Sequence, residues 1–122
     1  MQHNYIITIE DSLYRRYPNT DFPKYEHFWK MKDGKKIPTS AAFKTKKGED
    51  GLSVDIATLT TPAKTAEDPL KFGVAEIPAA VPLGEGYSCV HDRKPENEAH
   101  ALIMGDTNQI AKKLSKSIIA IY

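Results

Sequence analysis

The side chains best suited to chemistry gather between Tyr87 and Gln109, in the run Y-S-C-V-H-D-R-K-P-E-N-E-A-H-A-L-I-M-G-D-T-N-Q. It holds the only cysteine, Cys89, two of the four histidines, His91 and His100, and the acids Asp92, Glu96 and Glu98. On a strand, Cys89 and His91 point to one face and Val90 and Asp92 to the other. A hairpin built on Pro95-Glu96-Asn97 would bring His91 and His100 together. A zinc site needs a third and usually a fourth ligand, and none stands at a recognised spacing. A thiol nucleophile needs a nearby cation to lower its pKa, which a strand does not supply. The expectation is therefore a structural cysteine, no metal and no cofactor, with His91 and His100 kept as the acid–base candidates.

Outside this run, Arg15, Arg16, Ser40, Lys44 and Asp55 are the candidate ligand-binding residues. A phosphate or carboxylate would be gripped by the two arginines and receive a hydrogen bond from Ser40, beside the small Ser40-Ala41-Ala42 backbone. Lys44, Asp55, His91 and His100 would share the groove with them.

Composition frames these candidates. At 122 residues the chain is one domain, spanning residues 1–122, long enough to bury its own core. It is 40% hydrophobic and 27% charged with a net charge of +1, which argues against a surface wholly given to nucleic acid or membrane. One cysteine forms no internal disulfide, and Tyr5 to Ile9 is too short for a signal peptide or a membrane span. A soluble cytoplasmic protein with no membrane contact is expected. Charge divides along the chain: from Lys24 to Lys47 eight lysines face Glu26 and Asp33, a balance of +6. Residues 48–106 carry eleven acids against four bases, a balance of −7. With Tyr25, Phe28, Trp29 and Phe43 interleaved, the basic segment is the candidate contact for nucleic acid; a solvated loop packed on its own acidic half is the plainer reading.

The elements that position these groups follow from periodicity and punctuation. Tyr5 to Ile9 reads as a first strand. Ser12 would cap a short helix with Leu13, Tyr14 and Tyr17 on one face and the arginines on the other, ending before Pro18. Lys24 to Met31 reads as one or two helical turns, and Asp33-Gly34 as a turn. Strands are expected at Leu52 to Ala57, Phe72 to Ile77, Tyr87 to His91 and Ala99 to Met104. Thr60 to Pro69 holds a short helix with Pro62 in its first turn, and Pro78 to Leu83 a small apolar turn or helix closed by Gly84. Asp106 and Gln109 have capping-box spacing ahead of a stripe at Ile110, Ala111, Leu114, Ile118 and Ile121, which predicts a long amphipathic helix. Together these give an α+β fold: a single small domain with a mostly antiparallel sheet and a C-terminal amphipathic helix.

The order Leu13-Tyr14-Arg15-Arg16, Pro38-Thr39-Ser40-Ala41-Ala42-Phe43-Lys44, Leu52-Ser53-Val54-Asp55, and Pro95-Glu96-Asn97-Glu98-Ala99-His100-Ala101 resembles a family of small uncharacterised bacterial proteins. The resemblance spans most of the chain and implies a bacterial source and a site location, with no established activity. Arg93 and Glu98 stand where that family's D-P-x-P-E-N-P-A-H-A pattern has prolines, which leaves the loop less rigid. Separately, Arg15 or Arg16, Thr39-Ser40 and Glu96-x-Glu98 fall in the order of the arginine, serine and paired-glutamate motifs of ADP-ribosyltransferases. That resemblance implies an arginine on a dinucleotide's phosphate or ribose and a glutamate facing an oxocarbenium-like transition state. The reading preferred from sequence is a small cytoplasmic binding or accessory protein that recognises an anionic ligand, a protein partner or a nucleic acid. The alternative is a small enzyme, ADP-ribosyltransferase-like or a metal- or histidine-dependent hydrolase.

Overall fold

The computed structural model describes residues 4–122. Its main sheet has six strands, all antiparallel. In chain order, β1 (Ser12–Pro18) is followed by a 3-10 turn (Pro23–Phe28), a hairpin of β2 (Trp29–Lys32) and β3 (Lys35–Pro38), and a second 3-10 turn (Ser40–Phe43). Then come β4 (Gly51–Ile56), α1 (Pro62–Ala66), β5 (Phe72–Pro78), α2 (Ala80–Gly84), β6 (Cys89–His91), β7 (His100–Met104), α3 (Ala111–Lys116) and β8 (Ala120–Ile121). The order across the sheet is β6-β7-β4-β1-β5-β8, and the β2–β3 hairpin forms a separate two-stranded sheet. The α+β class and the antiparallel sheet expected from sequence are thus present. Among the described residues no helix is long and apolar enough to cross a membrane.

Four expected elements differ. The segment from Ser12 to Pro18 is a central strand, not a capped helix, because β5 pairs with it along its whole length, from Ser12↔Pro78 to Pro18↔Phe72. Its two tyrosines suit a pleated surface, and Pro18 disfavours a helical Tyr17. Alternation then puts Leu13 and Tyr17 in the main core and Tyr14 on the opposite face, packed with Val74 and Ala66 of α1. The stretch from Tyr5 to Ile9 is no strand: Ile6 and Ile9 are 81% and 68% exposed. It is held instead by Asp11, whose carboxylate accepts from the Tyr5 hydroxyl at 2.6 Å and the Thr8 N–H at 2.8 Å.

The C-terminal helix is short. Asp106 does cap, accepting from the Asn108 N–H at 2.8 Å, but it opens a 3-10 turn (Thr107–Gln109) before the six residues of α3. Ile110, Ala111 and Leu114 are buried as the stripe required. Beyond Ser117, β-branched residues meet the open edge of β5 instead: the Ile119 N–H donates to Glu76 O at 2.9 Å and the Tyr122 N–H to Val74 O at 2.9 Å. An available sheet edge outweighs helical periodicity for Ile118 to Ile121. The expected helix over Lys24 to Met31 is realised as the Pro23–Phe28 turn running into β2. Asp33 and Gly34 close that hairpin with φ of 52° and 78°, the left-handed pair a two-residue turn demands.

Candidate functional site

The sheet is split where its two central strands meet. β1 and β4 pair only at Leu13↔Ile56 and Tyr14↔Asp55. Past these, β1 follows β5 while β4 follows β7 as far as Gly51. The wedge between them opens into a cleft of about 1190 Å³. It is lined by Arg15, Arg16, Lys44, Asp55 and His100, which are five of the seven candidates read from sequence.

Arg15 bridges the wedge. Its Nε donates to Ala42 O at 2.7 Å, in the Ser40–Phe43 turn, and its Nη1 to Ser53 O at 2.9 Å, on β4. Desolvation brings its pKa down to about 10, with the Glu49 carboxylate acting in the opposite direction, so it remains a cation at neutral pH. No carboxylate forms an ion pair with it among the described residues. Arg16 lies on the other face of the strand and is already engaged, with Nη1 3.2 Å from Glu67 Oε2 and its guanidinium 4.4 Å above the Phe72 ring. Asp55 is buried, and both of its oxygens are taken: Thr65 Oγ1 donates to Oδ2 at 2.7 Å and Asn97 Nδ2 to Oδ1 at 2.8 Å. That carboxylate ties α1 and the β6–β7 connection to the sheet.

The two histidines do not meet. The register pairs His91 with Ala101, so His91 and His100 point to opposite faces. His91 is 4% exposed and its ring is used up structurally: Nδ1 accepts from the Tyr5 N–H at 2.7 Å and Nε2 donates to Glu98 O at 2.6 Å. His100 faces the cleft, with Nδ1 3.0 Å from Asp92 O and 3.1 Å from Asp92 Oδ2. Ser40 also lies apart, in a separate groove with Lys30, Lys112 and Lys116 between the hairpin and α3. The small Ser40–Phe43 turn contributes the Ala42 carbonyl to the cleft region through Arg15, not a serine hydroxyl. Glu96 and Glu98 line the cleft with the arginines, whereas Thr39 and Ser40 do not, so the three transferase-like motifs do not share one site.

Three cleft residues escaped the sequence reading. Lys46 adds charge beside Lys44, Lys64 reaches in from α1, and Asn97 locks Asp55. No local pattern marks them, since only the strand order brings residues 46, 64 and 97 to one place. The basic segment is dispersed over several surfaces. Lys44 and Lys46 line the cleft, Lys30 and Lys32 the second groove, and Lys36 pairs with Asp21 at 2.9 Å while covering the Trp29 ring at 4.4 Å. Phe28 and Trp29 pack against the core.

Cys89 faces the core opposite Ile103, and burial pushes its thiol pKa up to about 11. The thiolate is therefore scarce at neutral pH, and iodoacetamide at pH 8 is expected to label native protein far more slowly than urea-unfolded protein; equal rates would refute the burial. The raised pKa also fixes a sign. The folded state resists ionising this group, so its penalty is absent below pH 9, the ordinary thiol value, and grows from there towards pH 11. Stability should fall over that window by less in Cys89→Ser. Among the described residues no three or more His, Cys, Asp or Glu come together as metal ligands. Comparisons with known protein families, with characterised proteins and with solved structures find no match to this chain.

Proposed function

We propose that the cleft between β1 and β4 binds a small phosphate- or carboxylate-bearing ligand, with Arg15 as its anchor. One observation carries this reading: a desolvated guanidinium, pinned through two backbone carbonyls, has no carboxylate within ion-pairing distance among the described residues and feels the Glu49 charge only from further off. Taking a cation out of water costs several kcal/mol unless an anion compensates it, and here the space beside it is an open cleft. The two carbonyls fix Nε and Nη1, which leaves Nη2 for the ligand. Lys44, Lys46 and Lys64 line the same opening, none of them ion-paired among the described residues, together with the acids Glu49, Glu96 and Glu98 and with Glu67, which is paired to Arg16. A planar, fixed guanidinium in a cleft that lysines also line suits the oxygens of a phosphate.

Melting of the purified protein against inorganic phosphate and pyrophosphate tests this. A ligand at 100 times its dissociation constant adds about 2.7 kcal/mol, which for a domain of this size raises Tm by roughly 5 °C or more. The rise should shrink in Lys44→Gln and with added sodium chloride, and should be unchanged in Ser40→Ala, whose side chain lies outside the cleft. A flat response to both anions would sink the proposal.

A further inference from the structure

We infer that the groove between the β2–β3 hairpin and α3, apart from the Arg15 cleft, binds single-stranded nucleic acid through its phosphates. The groove has a volume of about 830 Å³. The hairpin lines it with Lys30 and Lys32, and α3 lines it with Lys112 and Lys116. Among the described residues no acid, arginine or aromatic side chain joins them in the lining. All four lysines are exposed, and none of their ammonium groups is ion-paired or hydrogen-bonded among the described residues. Asp33 sits in the turn of the hairpin and Glu85 is paired with Lys113, all three outside the lining. Some eighty residues separate the two pairs along the chain, and the Ser40–Phe43 turn, which follows the hairpin and packs against α3, brings them together.

Each wall repeats its charge at a set interval. Lys30 and Lys32 are two residues apart on a strand, on the face that carries Ile37 opposite Lys30, which spaces them by about 7 Å. Lys112 and Lys116 lie about one helical turn apart, roughly 6 Å along the axis of α3. Successive phosphates of an extended single strand are separated by a similar distance, so a short stretch of strand offers each pair of lysines its own pair of phosphates.

The residue types favour this polyanion over an acidic peptide. An ammonium group is a compact charge with no required plane of approach, which suits phosphates whose orientation varies along a flexible chain. Carboxylates fixed on a peptide are better met by an arginine fork, and the groove has none. A groove of this size takes in one strand and not the full width of a duplex. Half-buried Ile37, Ile118 and Ile121 give the lining apolar surface for sugars and bases. With no aromatic ring to stack a base, recognition is by charge and not by sequence. Four unpaired ammonium groups around one opening repel each other and hold counter-ions, which a phosphate strand displaces and releases.

The test is fluorescence anisotropy of labelled oligo(dT) titrated with the full chain at low ionic strength. Four phosphate contacts on a single strand predict a slope of about −2.8 in log K against log salt, a loss of roughly 50-fold in affinity between about 50 and 200 mM sodium chloride. Lys30→Gln/Lys32→Gln and Lys112→Gln/Lys116→Gln should each halve that slope at unchanged melting temperature, since the four side chains are exposed and unpaired. Lys24→Gln/Lys47→Gln removes the same charge from the same basic segment but outside the groove, and should bind as wild type does. No rise in anisotropy at low salt overturns the inference. An equal loss in Lys24→Gln/Lys47→Gln also overturns it, by reducing the binding to overall charge. Displacement of the probe by oligoglutamate at lower concentration than by unlabelled oligo(dT) would assign the groove to an acidic peptide and overturn it as well.

Discussion

Arg15→Gln is expected to abolish the phosphate-induced rise in melting temperature while leaving the fold largely intact. Removing a desolvated charge from a charge-assisted contact typically costs about 2–5 kcal/mol of binding, roughly 30-fold to several-thousand-fold in affinity. The same substitution recovers the penalty of keeping a guanidinium out of water, and it frees the Ala42 and Ser53 carbonyls beside an open cleft, where water replaces the lost donors. Stability should therefore change by only about 1–2 kcal/mol. Arg15→Lys keeps the charge but has a single donor head that cannot serve two carbonyls and a ligand together, so it should rescue little binding. Phosphate titrations by calorimetry on the two variants decide the matter. Wild-type affinity in either would show that the anchor lies elsewhere.

The largest loss of stability is expected from Phe43→Ala. This ring is fully buried in the main core, and its turn is packed against α3. The Phe43 carbonyl also accepts from Thr107 Oγ1 at 2.5 Å, which joins the turn to the start of the C-terminal segment. Truncating a buried phenylalanine costs about 3–5 kcal/mol, a large share of the roughly 5–15 kcal/mol that holds a domain together. Because the preceding residue supplies the carbonyl that fixes Arg15, phosphate binding should weaken along with stability, at temperatures where the variant is still folded. Phe43→Leu, which fills most of the space, should lose much less of both. Urea unfolding monitored alongside phosphate titration checks the coupling. A stability loss under about 1 kcal/mol would show that the turn does not depend on this ring.

Sequence alone named five residues that line one cleft and misread how they are held. Arg15, Arg16, Lys44, Asp55 and His100 do share one cleft. Their residue types drew attention to them, and the strand around Asp55 was plain from its alternation. What could not be read was partnership. Arg15 and Arg16 were expected together on one helical face, whereas on a strand they point oppositely, one to a bridge between carbonyls and the other to Glu67. His91 and His100 look equivalent along the chain, yet a register in which His91 faces Ala101 sends one into the core and the other to the cleft. The long C-terminal helix failed for a similar reason. Its apolar stripe was real as far as Leu114, and the competitor was an open edge on β5, which is invisible until the strands are ordered. Local patterns specify which faces are apolar; pairing decides what those faces meet.

The position of β1 in the middle of the sheet also has a bearing on how the chain acquires its structure. β1 is made before its neighbours, β4 and β5, with Leu13 matched to Ile56 and Ile77. Until those segments emerge, two tyrosines and a leucine of β1 have no native surface to cover them. A topology built on such distant pairings belongs to the slower class of small domains, with refolding over milliseconds to seconds. During synthesis, the segment that carries Arg15 therefore waits uncovered for its partners.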